Sequence, residues 1–242
     1  MIDRLQTQDL TKVYNRVNVV DGINLEFKAG EISALLGRNG AGKTTTFLMM
    51  AGIVKPDDGR VIFNGEDVNG IPSYERSRKG LIYLPQQHSV FIKATVFQNL
   101  YMVLQLYFTE SAARQKALAM LEDFGLLGVR DSRAHQLSGG EKRRLEIARS
   151  MIMAPRFLFL DEPFTGIDPI TIHDLQNVIL KLKSRGIGVI ITDHNVKDTF
   201  FITDVAYIIH KGSILSRGTP AQVVKEERTR QVFLGKDFEW NA

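Results

Sequence analysis

Short apolar runs bounded by turn residues open the chain, at residues 10–14, 19–20, 23–27 and 31–36, the last preceded by Ala29-Gly30. Their β-type composition and punctuation predict antiparallel strands that feed a buried strand. Residues 43–53 have helical composition and a stop signal at Gly52. Runs at 59–64 and 81–84 predict two further strands, the second ended by Pro85. Over 95–154 the spacing becomes helical: Ala117, Leu118, Leu121 and Phe124 share one face, as do Glu141, Leu145, Ala148 and Ile152. Strand-like runs return at 157–160, 188–192 and 205–210, with a helical stretch over 170–184 between the first two. Such alternation predicts a mainly parallel central sheet. The expected class is α/β, as one domain over 1–242. Residues 1–87 and 155–242 form its core, with an antiparallel β layer near the N-terminus, and 88–154 form a helical subdomain inserted between sheet strands.

A chain of 242 residues, 44% hydrophobic and 24% charged, can bury one substantial core. Cysteine is absent from the sequence, which removes disulfides and thiolate metal sites and fits a reducing compartment. The opening Met1-Ile2-Asp3-Arg4-Leu5 lacks a basic stretch followed by an apolar segment, so no secretory signal is expected. The longest apolar stretches, such as 157–160 and 189–191, fall far short of the roughly 18 residues of a membrane span. Work at a membrane would therefore need a partner that supplies the spans. The formal charge of +4 comes from scattered basic residues apart from Lys142-Arg143-Arg144. It is read as mostly solvated surface, and no nucleic-acid partner is expected.

The chemistry starts at Gly37-Arg38-Asn39-Gly40-Ala41-Gly42-Lys43-Thr44, which follows a predicted strand and opens a predicted helix. This is the P-loop pattern: glycines let successive backbone N–H groups point at phosphate oxygens, and the helix adds its positive end. Lys43 can neutralise the β- and γ-phosphates of a nucleotide, the Thr44 hydroxyl can ligate Mg²⁺, and Thr45 is a further phosphate donor. An apolar strand then ends in Asp161-Glu162, at the strand end where such sheets bind ligands. Asp161 can hold the metal directly or through water, while Glu162 can orient or deprotonate the attacking water. His194 ends another buried strand and could reach a γ-phosphate, although a lone strand-end histidine is more often structural than catalytic.

With these parts stands Leu137-Ser138-Gly139-Gly140-Glu141, and together they resemble the nucleotide-binding domain of ABC transporters over nearly the whole chain. The resemblance implies a P-loop ABC ATPase core that binds ATP and Mg²⁺. It also implies a homodimer in which each ATP lies between one chain's loop, residues 37–45, and the partner copy's Ser138, Gly139 and Gly140. Gln86 takes the place of the family's Mg²⁺-sensing glutamine, and Asp168 that of the aspartate ending the loop Phe164-Thr165-Gly166-Ile167-Asp168, which departs from the commoner Ser-Ala-Leu-Asp form. Arg38 replaces a frequent proline. Tyr14 lies where the family stacks an aromatic on adenine, though a core tyrosine fits the same pattern.

Within the family the resemblance is nearer to the ATPase subunits of lipopolysaccharide export, through Tyr83-Leu84-Pro85-Gln86, Asp161-Glu162-Pro163-Phe164, Ile191-Thr192-Asp193-His194-Asn195-Val196 and the tail Phe233-Leu234-Gly235-Lys236-Asp237-Phe238. ATPases of branched-chain amino-acid importers share much of the core but usually lack that tail, and a soluble iron–sulfur assembly ATPase is possible by size. The nearer resemblance implies a peripheral protein on the cytoplasmic face of the inner membrane. It would drive integral membrane subunits through a groove near 86–95 without touching the cargo. Phe91 and Ile92 could receive a partner helix there, or Phe91 could be ordinary core.

Overall fold

The computed structural model describes residues 2–235 together with Phe238 and Trp240; Lys236 and Asp237 of the terminal motif lie outside the described residues. In chain order its first half runs β1 (Arg4–Tyr14), β2 (Val17–Lys28), β3 (Ile32–Leu36), α1 (Lys43–Met50), β4 (Asp58–Phe63), β5 (Glu66–Asp67), α2 (Ser73–Arg78), β6 (Leu81–Leu84), α3 (Val96–Leu104) and α4 (Glu110–Asp123). The second half runs α5 (Gly139–Met151), β7 (Phe157–Asp161), α6 (Pro169–Ser184), β8 (Gly188–Thr192), α7 (Val196–Ile202), β9 (Val205–His210), β10 (Ser213–Gly218) and α8 (Pro220–Lys225), then a helical segment over 227–234.

The described strands form two sheets. The antiparallel one has the order β2-β1-β4-β5, and the central one the order β10-β9-β3-β8-β7-β6, parallel except where β10 meets β9. This is the α/β architecture with an antiparallel β layer expected from the pattern. The three shortest inner strands, β3, β7 and β8, are buried at every residue, as strands covered on both faces must be.

Strict alternation then sorts their side chains. Leu81, Tyr83, Phe157, Phe159 and Ile190 face the antiparallel sheet and α1. Ile82, Leu84, Leu158, Leu160, Val189 and Ile191 face a second cluster filled by α3, α4, α5 and α6. Ala34, Leu36, Ala206 and Ile208 pack against Phe200 of α7 and Val223 of α8, with Phe233, Leu234, Phe238 and Trp240 laid over them. The P-loop helix α1 thus lies on one face of the sheet and the α5 helix on the other. β5, β10, α2, α7 and α8 were not foreseen, being short and without a periodic apolar face. No helix among the described residues is long and apolar enough to cross a membrane.

An ionic tie joins α4 to α6. Asp123 accepts from Lys181 at 2.5 Å and pairs with Arg185 at 2.7 Å. Its carboxyl is held down at about 2, first by the Arg185 hydrogen bond and then by Lys181. A depressed carboxylate stabilises the fold above its unfolded value of 3.8, and that contribution disappears as pH falls through about 2. Asp123→Asn is expected to cost about 1 kcal/mol near neutral pH, solvent screening included. Urea melts of both proteins should show the gap narrowing as the pH is lowered below about 4.

Candidate active site

The loop after β3 crosses to α1 through Gly42, whose φ of 106° lies in the left-handed region. A Cβ there would sit 2.5 Å from the Val19 carbonyl oxygen, so backbone geometry and space both require glycine. The loop lines a cavity of about 390 Å³ bounded by Val19, Asn39, Gly40, Ala41, Gly42, Lys43, Thr44, Thr45, Gln86 and Glu162. Lys43 is buried, and its ammonium donates to the carbonyls of Gly37 at 2.8 Å and Arg38 at 3.2 Å. Desolvation lowers its pKa, opposed by the nearby carboxylates of Glu162, Asp161 and Asp193.

Asp161 ends β7 and is only 4% exposed. Tyr83 donates to its Oδ2 at 2.9 Å, Thr192 donates to Oδ1 at 2.5 Å, and the Thr44 hydroxyl lies 3.4 Å from Oδ1. Burial beside Asp161 pushes the Tyr83 phenol well above its ordinary pKa, so it remains a donor. Glu162 leaves the strand with a φ of 45°, a costly conformation for a non-glycine residue. Its Oε2 accepts from Gln86 at 2.9 Å and from Thr165 at 3.3 Å and lies 3.4 Å from Nδ1 of His194. Buried Asp193 fixes the adjoining loops by accepting from the backbone N–H groups of Phe164 and Asn195, and His194 itself is half exposed.

The residues present fit Mg²⁺. A threonine hydroxyl, an aspartate and an amide side chain are hard oxygen donors. Among the described residues no cluster of three or more acidic or histidine side chains could hold a metal alone, which suits an ion that arrives bound to phosphates and keeps its waters.

Other expected residues stand apart from this cavity. Ser138 caps α5 in a reciprocal capping box with Glu141, and a Cβ on Gly140 would lie 1.8 Å from Thr171 Cγ2, so α5 and α6 touch there. Neither Ser138 nor Gly139 lines the P-loop cavity. Asp168 caps α6 by accepting from Thr171 N at 3.0 Å and from the Thr171 hydroxyl. Tyr14 is not core: it is 44% exposed, with the Lys12 ammonium 5.4 Å from its ring centroid. Phe91 is likewise 46% exposed, beside exposed Ile92.

The basic charge expected to be mostly solvated surface has an exception in the triplet Lys142-Arg143-Arg144, whose middle residue is buried. Successive helical residues point in different directions, and Arg143 points inward. It donates to Pro85 O at 2.8 Å, Asp161 O at 3.0 Å and buried Glu146 at 3.2 Å. Glu146 also holds His88 and the Ser89 N–H, while Arg149 donates to Ser89 O at 2.8 Å and lies over the Phe91 ring. Asn99 accepts from Phe91 N and donates to Phe91 O. The α5 helix therefore grips the segment that follows β6. Arg143, Glu146, Tyr83, Thr165 and Thr192 escaped the sequence reading as site residues; the three-residue steps between Arg143, Glu146 and Arg149 were the one available signal.

A glycine-rich loop opening a helix, a buried aspartate at the adjoining strand end, a glutamate beside it and a glycine-rich capped helix on a separate face are the features of ATP-binding cassettes. A family model described as ABC transporter matches residues 20–165, and the chain belongs to that family as an ATPase that uses ATP with Mg²⁺. Among curated relatives, the lipopolysaccharide export system ATP-binding protein LptB of Haemophilus influenzae is 44% identical over 236 residues, covering 97% of this chain and 98% of that protein. The protein of the same name from Acidithiobacillus ferridurans is 46% identical over 240 residues, covering 99% and 100%. That of Escherichia coli K12 is 43% identical over 236 residues, covering 97% and 98%. Among solved structures, the ADP conformation of an ATP-binding cassette of an ABC transporter superposes with a TM-score of 0.87 at 25% identity, over 98% of this chain and all of that one.

Arg143→Met should lower stability by about 3 kcal/mol, because it leaves the Glu146 carboxylate and two carbonyls buried without their donor. Adding Glu146→Leu should recover more than half of that loss in urea melts, since no buried charge then stands unpaired. Equal or greater destabilisation in the double variant would contradict this account.

Proposed function

We propose that this chain is the ATP-hydrolysing subunit of a lipopolysaccharide exporter, acting as a pair of identical copies on the cytoplasmic face of the inner membrane. The observation that carries the cargo is the 43–46% identity, over nearly full length, to ATP-binding proteins of lipopolysaccharide export. Geometry supports the roles within the chain. Gly37, Arg38, Asn39, Gly40, Ala41 and Gly42 offer backbone groups to the phosphates, with Lys43 and Thr45 beside them. Tyr14 presents an exposed ring on which adenine can stack. Thr44, Gln86 and Asp161 are the residues that would hold Mg²⁺, which when bound neutralises charge on the β- and γ-phosphates.

In hydrolysis a water oxygen bonds to the γ-phosphorus as the bond to the bridging oxygen breaks. Glu162 accepts the water proton, and ADP leaves with its new charge facing Lys43 and the loop amides. His194, whose Nδ1 lies 3.4 Å from Glu162 Oε2, would hydrogen-bond the γ-phosphate and so hold it beside the base. Ser138, Gly139 and Gly140 lie outside the chain's own cavity and are assigned to the ATP of the partner copy, with Asp168 close by at the start of α6. Exposed Phe91 and Ile92, on the segment gripped by α5, offer the contact for integral membrane subunits near 86–95.

Glu162→Gln should still bind MgATP and accumulate as a dimer by light scattering, while hydrolysis falls by at least about 10²-fold. A variant that hydrolyses at the normal rate removes Glu162 from this role. Purifying the tagged chain from detergent-solubilised membranes tests the cargo: recovery of lipopolysaccharide-export membrane subunits supports it, and amino-acid importer permeases or soluble scaffold proteins overturn it while leaving the ATPase intact.

A further inference from the structure

Tyr83 has no direct line to a nucleotide, yet its hydroxyl is committed to the one carboxylate that ends a buried strand. In the central sheet β7 lies between β8 and β6. Tyr83 pairs with Phe159, so the next residue on the same face toward the strand end is Asp161. Tyr83 also packs edge-on against Phe47 of the P-loop helix, with centroids 6.5 Å apart, and Phe47 packs on Phe159 at 5.7 Å. Those contacts fix the ring, so its hydroxyl stays at Oδ2 of Asp161, at 2.9 Å. From the opposite neighbour, β8, Thr192 takes Oδ1 at 2.5 Å, the oxygen that also lies near Thr44. Each carboxylate oxygen thus has its own hydroxyl donor from a different flanking strand, and the plane of the carboxylate cannot turn without breaking one of them.

We propose that Tyr83 is a positioning residue for Asp161, which orients that carboxylate toward Thr44 and thereby sets the affinity of the site for Mg²⁺ without contributing to nucleotide binding in its absence. This rests on the assignment of Thr44 and Asp161 to the metal, and on no assumption about cargo. Partners that orient a ligating group typically govern metal affinity by about 10- to 100-fold. Tyr83 acts at the lower end of that range, because Thr192 still holds the other oxygen.

The test is Tyr83→Phe, which keeps the ring against Phe47 and deletes only the donor. Mn²⁺ binding, followed by electron paramagnetic resonance in the presence of a non-hydrolysable ATP analogue, should weaken about tenfold. Half-saturation of ATP hydrolysis by Mg²⁺ should rise by a similar factor. Binding of a fluorescent ATP analogue in EDTA should not change, nor should kcat at saturating Mg²⁺ change more than about twofold. Tyr83→Leu, which removes ring and hydroxyl together, should weaken Mn²⁺ binding to a similar degree and also lower the melting temperature. Unchanged Mn²⁺ affinity in folded Tyr83→Phe overturns the proposal, as does an equal loss of nucleotide affinity with and without metal, which would mean the P-loop itself had shifted. A wild-type chain whose nucleotide binding ignores Mg²⁺ would instead overturn the metal assignment beneath it.

Discussion

Asp161 is the constraint around which the site is organised. A carboxylate at the end of a fully buried strand must receive hydrogen bonds from its surroundings, because an unpaired charge there would cost several kcal/mol. The two flanking strands meet that demand with neutral donors: Tyr83 from β6 and Thr192 from β8. Among the described residues no cation pairs with its side-chain oxygens, and Arg143 is directed to its main-chain carbonyl instead. The result is a carboxylate held in place by hydroxyls rather than by an ion pair, which suits the metal-binding role proposed for it.

The same strand end links the two faces of the sheet. Toward α1, Asp161 faces Thr44; toward α5, its carbonyl is held by a guanidinium that also holds Pro85. The helix capped by Ser138 is therefore attached to the end of β7 and to the segment from Pro85 to Ser89 by direct hydrogen bonds. Arg143, Glu146 and Arg149 lie at three-residue steps along one side of α5, and each holds a different peptide group of that segment. A displacement of α5 cannot leave Ser89 where it is without breaking several of these bonds. Phe91 is held between two helices, its ring under Arg149 of α5 and its backbone on Asn99 of α3.

Much of the fold could be read in the sequence, because its central strands are short apolar runs between glycines and prolines and its longer helices carry a one-face pattern. The P-loop and the acidic strand end were legible for a different reason: their chemistry demands several residue types at fixed spacing. What could not be read were partners that depend on register between strands distant in sequence. Tyr83 and Thr192 each carry one hydroxyl in an otherwise apolar run, and neither run reveals that the other ends beside the same carboxylate. Arg143 was hidden in a basic triplet, where only the rotation of α5 decides which of three cations faces inward. Short elements such as β10 and α7 offer too few residues for a period to show.

The placement of Ser138 carries the argument for two copies further than the motif alone does. Within one chain the P-loop cavity opens on the α1 side of the sheet, and the signature glycines are packed against α6, where Gly140 lies too close to Thr171 for any side chain. The cavity is lined by residues 39–45 together with Val19, Gln86 and Glu162, and α5 contributes nothing to it. Ser138 is meanwhile occupied by its capping box with Glu141, which orders the helix N-terminus before any anion reaches it. On the proposed reading, a second copy turned head to tail would bring Ser138 and Gly139 to the cavity that they do not line within one chain. ATP would then supply the charge that joins the two faces, and loss of the γ-phosphate would remove the reason for them to stay in contact.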